Sequence, residues 1–82
     1  MKRITGYEML GRRIHECRLD MDMSVEEVAG IMGIKKSVYL SYEAGQKDVR
    51  SRKLLSLSHI FNVSTDYLLG LTDIKTPPHS RK

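Results

Sequence analysis

Gly33, Gly45, Asn62 and Gly70 fall where a chain of helix-spaced apolar residues breaks, and no proline occurs before Pro77-Pro78. Glycine and asparagine end helices by entering the left-handed backbone region at little steric cost. The chain is therefore divided into short helices by closely spaced stops. Leu10, Ile14 and Cys17 recur at i, i+4 and i+7, which predicts an amphipathic helix over about residues 7–19. Ser24 and Glu27 form a capping box ahead of Val28, Ala29 and Met32, so a second helix starts at Ser24 and ends at Gly33. Ile34 is then free to plug the core. A third helix lies between Lys35 and Gly45. Steps of about 100° per residue put Tyr39 and Tyr42 on one side of it and Ser37, Leu40, Ser41 and Ala44 on the other. Leu54, Leu57 and Phe61 mark a fourth helix with Asn62 as its stop. Val63 packs inward, and Ser64 caps a short fifth helix to about Leu69.

No segment alternates with the period of a strand, so the expected fold class is all-α, five short helices in one compact domain over residues 1–71. Residues 72–82 offer nothing to bury and are expected to form a disordered polar tail. Eighty-two residues leave no room for a second core, and little apolar material to wall a deep substrate pocket. No enzymatic role is expected. The single cysteine, Cys17, excludes an intramolecular disulfide and a multi-cysteine zinc site, which favours a reducing, cytoplasmic setting. His15 and Cys17 point to different sides of a helix, Ser58-His59 lacks a nucleophile elbow, and no phosphate-binding P-loop is present. Hence neither a metal nor a cofactor is expected. Lys2 and Arg3 precede Gly6, Tyr7 and Glu8 where an export signal would need an apolar run, and no stretch nears the roughly 20 apolar residues of a membrane helix. The tyrosines at 7, 39, 42 and 67 are better explained by packing than by base stacking.

The net charge of +4 is unevenly placed. Residues 1–34 carry five basic and six acidic side chains, whereas residues 35–53 carry Lys35, Lys36, Lys47, Arg50, Arg52 and Lys53 against Glu43 and Asp48. A segment that faces a polyanion would look like this, and so would a solvated face with chance clustering. Two helices joined by a short turn containing glycine, the second with a small-polar outer side, form a helix-turn-helix unit whose second helix can enter a major groove. Plain helical bundles contain such pairs too.

From Leu10 to Leu69 the sequence resembles the Xre/Cro-type helix-turn-helix regulators, the family of the lambdoid phage repressor DNA-binding domains. The resemblance rests on Leu10-Gly11-Arg12-Arg13-Ile14, Arg18, Met23-Ser24, Val28-Ala29, Gly33-Ile34 and Tyr42-Glu43-Ala44-Gly45. It closes on the run from Phe61 to Gly70. It implies a repressor-like five-helix domain whose second and third helices form the helix-turn-helix. The implied function is sequence-specific binding of double-stranded DNA by a transcriptional regulator, a repressor, with the third helix in the major groove. It implies base contacts from Lys36, Ser37 and Ser41, with Val38 and Leu40 alongside. Lysine can donate to guanine, serine can bond to any base edge, and Val38 either meets a thymine methyl or is partly buried.

Phosphate contacts are expected from the backbone amides of Ser24 and Val25 at the start of the second helix. Lys35, Gln46, Lys47 and Arg50 in the flanking loops are expected to add others. The family pairs an acidic residue of the third helix with an arginine of the first, which implies a structural ion pair between Arg18 and Glu43. This chain departs from the family where Val25 replaces a phosphate-binding glutamine, Lys35 a capping Ser or Thr, and Val49-Arg50 the usual Pro-Ser. Those changes shift the expected binding toward electrostatics. A homodimer, at least on DNA, would read half-sites about 34 Å apart; Ile60, Tyr67, Leu69 and Leu71 either form its contact surface or close the core. The alternative is a protein-interaction module, an antitoxin or adaptor, to which the apolar Leu19, Met21, Val25 and Leu40 would lend a docking surface.

Overall fold

A computed structural model describes residues 6–77. These residues form five α-helices and no strand: α1 (Gly6–Asp20), α2 (Val25–Met32), α3 (Lys36–Glu43), α4 (Ser51–Phe61) and α5 (Thr65–Leu68). Each boundary has a local cause. The Ser24 hydroxyl accepts the Glu27 amide at 3.0 Å while the Glu27 carboxylate accepts the Ser24 amide at 2.7 Å, closing the capping box. Gly33 ends α2 and Asn62 ends α4, both in the left-handed region. Ser64 caps α5 through the Tyr67 amide at 3.0 Å. The turn between α1 and α2 uses a residue that periodicity does not flag: Asp22 sits at φ 58°, a conformation a short carboxylate side chain tolerates.

The core follows the apolar stripes. Leu10, Ile14 and Cys17 of α1 meet Val28, Ala29 and Met32 of α2 and the two tyrosines of α3, with Leu57, Phe61, Val63 and Leu68 closing the far side. Ile34 and Leu54 are half-buried against it. Val49, in an otherwise charged loop, is buried as well. At Gly11, α1 meets the end of α3 so closely that a side chain does not fit. A Cβ there would lie 2.6 Å from the Tyr42 carbonyl oxygen and 2.7 Å from that of Glu43.

α5 and the segment after it are tied to α1 through Arg13. Its Nη1 donates to the carbonyls of Tyr67 (2.8 Å) and Thr72 (2.7 Å), its Nη2 to the Asp73 carboxylate (2.7 Å), and its guanidinium lies 4.1 Å from the Tyr67 ring centroid. Lys75 pairs with Asp20 at 2.8 Å. Residues 72–75, expected to begin a disordered tail, thus lie against α1, and 78–82 are outside the described residues. The four residues expected on a dimer surface divide. Leu69 and Leu71 are exposed and Ile60 packs partly against the core, but Tyr67 is buried beneath Arg13 and has no free face to offer a partner.

Candidate nucleic-acid interface

α3 is anchored from one side only. Tyr39 and Tyr42 are buried, and at the end of the helix Glu43 collects three donors. Arg18 Nε donates to its Oε2 at 2.7 Å, the Tyr39 hydroxyl donates to the same oxygen at 2.5 Å, and His15 Nδ1 lies 2.9 Å from Oε1. Arg18 also donates to the Met23 carbonyl at 3.0 Å, so one guanidinium ties α1 to α3 and to the turn before α2. With side chains 12% and 9% exposed, Arg18 and Glu43 are close to fully enclosed, and every buried side-chain polar atom among the described residues has a partner. Burial alone would push the Glu43 carboxyl up. The hydrogen bonds from Arg18, Tyr39 and His15 outweigh that and hold it below the ordinary carboxylate range. Burial and the Glu43 carboxylate together push the Tyr39 phenol far above its usual value, so it stays a donor. Sequence reasoning missed two members of this cluster, the Tyr39 hydroxyl, one helical turn before Glu43, and His15. Its position one helical turn before Arg18, on the same side of α1, was the available signal.

The opposite side of α3 is bare. Lys36, Ser37 and Ala44 are exposed and Leu40 is 43% exposed. Ser41 is half-buried, with its hydroxyl donating to the Val38 carbonyl at 2.6 Å. Its donor is spent, and only its lone pairs remain to accept from a base amino group. Val38 itself is half-buried against the core. Partial burial, not a free methyl surface, is its state, because it flanks the tyrosine side of the helix. Lys36 Nζ donates to the Glu26 carboxylate of α2 at 2.7 Å, and that ammonium holds the Glu26 carboxyl below its usual range.

The segment that carries this bare side is rich in exposed positive charge. Lys35, Lys47, Arg50 and Arg52 are exposed, while Glu43 is turned inward, so Asp48 is the only acid of residues 35–53 that faces solvent. The starts of α3 and α4 have Lys35 and Arg50 as their cap residues and no side-chain cap. Cations at a helix start oppose the helix dipole, so these two ends are electropositive and suited to an anion rather than to their own stability. α2 differs. The Ser24 amide, expected to donate to phosphate, is already bonded to Glu27, which leaves the Ser24 hydroxyl proton as the donor that residue can offer. Val25 is half-buried against the core and Gln46 is exposed. Among the described residues no group of His, Cys, Asp and Glu side chains could hold a metal, and no helix is long and apolar enough to cross a membrane.

The helix-turn-helix family model matches residues 14–68, which hold α2, α3 and most of the core. The HTH-type transcriptional regulator YobD of Bacillus subtilis is 39% identical to this chain over 74 residues, covering 90% of the chain and 66% of YobD. The SPbeta prophage-derived HTH-type transcriptional regulator YonR of the same organism is 38% identical over 61 residues, covering 74% of the chain and 56% of YonR. The chain thus spans between half and two thirds of the length of these curated relatives. Of solved structures, the clp gene regulator ClgR from C. glutamicum superposes with a TM-score of 0.75 at 25% identity, covering 82% of this chain and 87% of that one.

Proposed function

This chain belongs to the helix-turn-helix family, among regulators of the Xre/Cro type, and from that premise we propose that it is a non-enzymatic, cytoplasmic repressor that binds duplex DNA with α3 in the major groove. The observation that carries the proposal is the one-sided anchoring of α3: Tyr39, Tyr42 and Glu43 hold it inward, Lys36, Ser37 and Leu40 are exposed with Ser41 half-buried beside them, and the helix starts on an uncapped lysine. In this reading Lys36 donates to guanine, Ser37 bonds to a neighbouring base, Ser41 accepts from an amino group, and Leu40 takes the apolar contact first considered for Val38. Lys35, Gln46, Lys47, Arg50, the Val25 amide and the Ser24 hydroxyl contact phosphates. A homodimer on a palindromic site would place two copies of α3 about 34 Å apart, with Leu69 and Leu71 as candidate contact residues.

The test is binding to duplex DNA at two salt concentrations, followed by selection of preferred sites from a random pool. Affinity should fall with a slope of about −0.9 per phosphate contact. Lys36→Ala should relax preference at one base pair, and Lys47→Ala should weaken all sequences alike and reduce the slope by about one. Leu19, Met21 and Leu40 are exposed apolar side chains and favour a second reading, in which the domain docks a protein. A salt-independent response, or no selected site, would support that reading and end the first.

A further inference from the structure

The ammonium of Lys36 is the one cation of the bare side of α3 that is joined to a neighbouring helix, through Glu26 at 2.7 Å. Lysine is a point charge on a flexible stem with three rotatable donors, and left free beside DNA it is drawn to the nearest phosphate as readily as to a base. Glu26 changes that competition in two ways. It takes one of the three N–H bonds, leaving two for acceptors ahead of the helix, and it places a negative charge where a phosphate would otherwise approach. The backbone that carries it is held in place, because the Ser24–Glu27 capping box starts α2 immediately beside it. Both side chains are more than half exposed, so the pair adds little to stability and its placement calls for another role.

Resting on the DNA-binding reading above, we propose that Glu26 is a positioning residue for specificity: it directs Lys36 toward the paired acceptors O6 and N7 of guanine and away from the sugar-phosphate backbone. The arrangement also suits the partner base. A carboxylate beside the lysine can accept from the N4 amino group of the cytosine paired to that guanine, so the two side chains match both halves of one G·C edge. An A·T pair offers no such combination of acceptors and donor in that order.

The experiment selects sites from a random duplex pool with the whole chain, then measures affinity for the selected site and its single-base variants. Wild type should prefer guanine at one position. Lys36→Ala should abolish that preference, and Glu26→Ala should reduce it about tenfold, within the range by which a good base contact discriminates. In the same Glu26→Ala variant, affinity for random duplex should rise and its salt slope steepen by about 0.9, as the released lysine gains a phosphate. Glu26→Asp should restore most of the preference, and the double variant should discriminate no worse than Lys36→Ala. Helical content by circular dichroism confirms that each variant is folded. A Glu26→Ala protein that keeps its guanine preference, or loses affinity for every sequence equally, overturns the inference while leaving DNA binding intact. Wild type that ignores duplex DNA overturns both.

Discussion

Replacing Gly11 and Gly30 by alanine, one at a time, makes the same chemical change in two helix interiors and should move stability in opposite directions. Alanine is favoured over glycine inside a helix by about 0.5–1 kcal/mol, so propensity alone predicts a gain at both. At Gly30 that gain should appear, because a Cβ there meets nothing within 4 Å. At Gly11 the new Cβ would sit 2.6 and 2.7 Å from two carbonyl oxygens and 3.0 Å from the Gly45 amide nitrogen, all of them backbone. A carbon against a carbonyl oxygen needs about 3.3–3.6 Å, so the end of α3 must retreat by roughly 0.7 Å. Overpacking of this kind costs about 1–3 kcal/mol, more than propensity returns. For a domain of this size each 1 kcal/mol moves the melting temperature by about 4–8 °C, so Gly11→Ala should melt several degrees below wild type and Gly30→Ala a few degrees above. Thermal unfolding followed by far-ultraviolet circular dichroism reads both. If the two variants shift together, the close approach of α1 and α3 is not what Gly11 provides.

Four further outcomes follow from the geometry. Glu43→Ala strands the Arg18 guanidinium and the Tyr39 hydroxyl and should cost about 3 kcal/mol in urea titration, whereas an effect under 0.5 kcal/mol would contradict an enclosed cluster. Because the Glu43 carboxyl is held low in the folded state, its contribution should be complete above about pH 4.5 and be lost as the pH falls through its folded value, and Glu43→Gln should flatten that acid limb. Burial raises the Cys17 thiol, so alkylation of the native protein should be far slower than of the urea-unfolded chain; equal rates would place the sulfur at the surface. Asn62→Ala should cost about 1 kcal/mol and Asn62→Gly almost nothing, because φ is 56° there, and the reverse order would deny the left-handed stop.

What the sequence discloses here is mostly what local chemistry decides. The Ser24–Glu27 box, the stops at Gly33 and Asn62 and the tyrosine side of α3 are written in residues a few positions apart, and all are found where expected. The Arg18–Glu43 contact spans 25 positions and came from likeness to a family, not from spacing. Contacts that depend on how helices dock stayed hidden. The place of His15 beside Glu43, the burial of Val49 and the triple hold of Arg13 on Tyr67, Thr72 and Asp73 join residues far apart in the chain. Two of them left a faint mark, a histidine one turn from the arginine and a branched apolar residue in a charged loop; the Arg13 contacts left none, because backbone carbonyls at a helix end are the same in every sequence. The committed donors of Ser24 and Ser41 could not be foreseen, since which hydrogen bonds a hydroxyl or amide has already made is settled only by coordinates.

The enclosed contacts that fasten α3 come from Tyr39, Tyr42 and Glu43, with Val38 half-buried beside them and Lys36 paired to Glu26 at the surface, while Ser37 and Leu40 are exposed. Framework and lettering are therefore separable in this molecule. Exchanging those two outward side chains should redirect the surface to new partners at almost constant melting temperature, so lineages or engineers can revise the address without rebuilding the envelope.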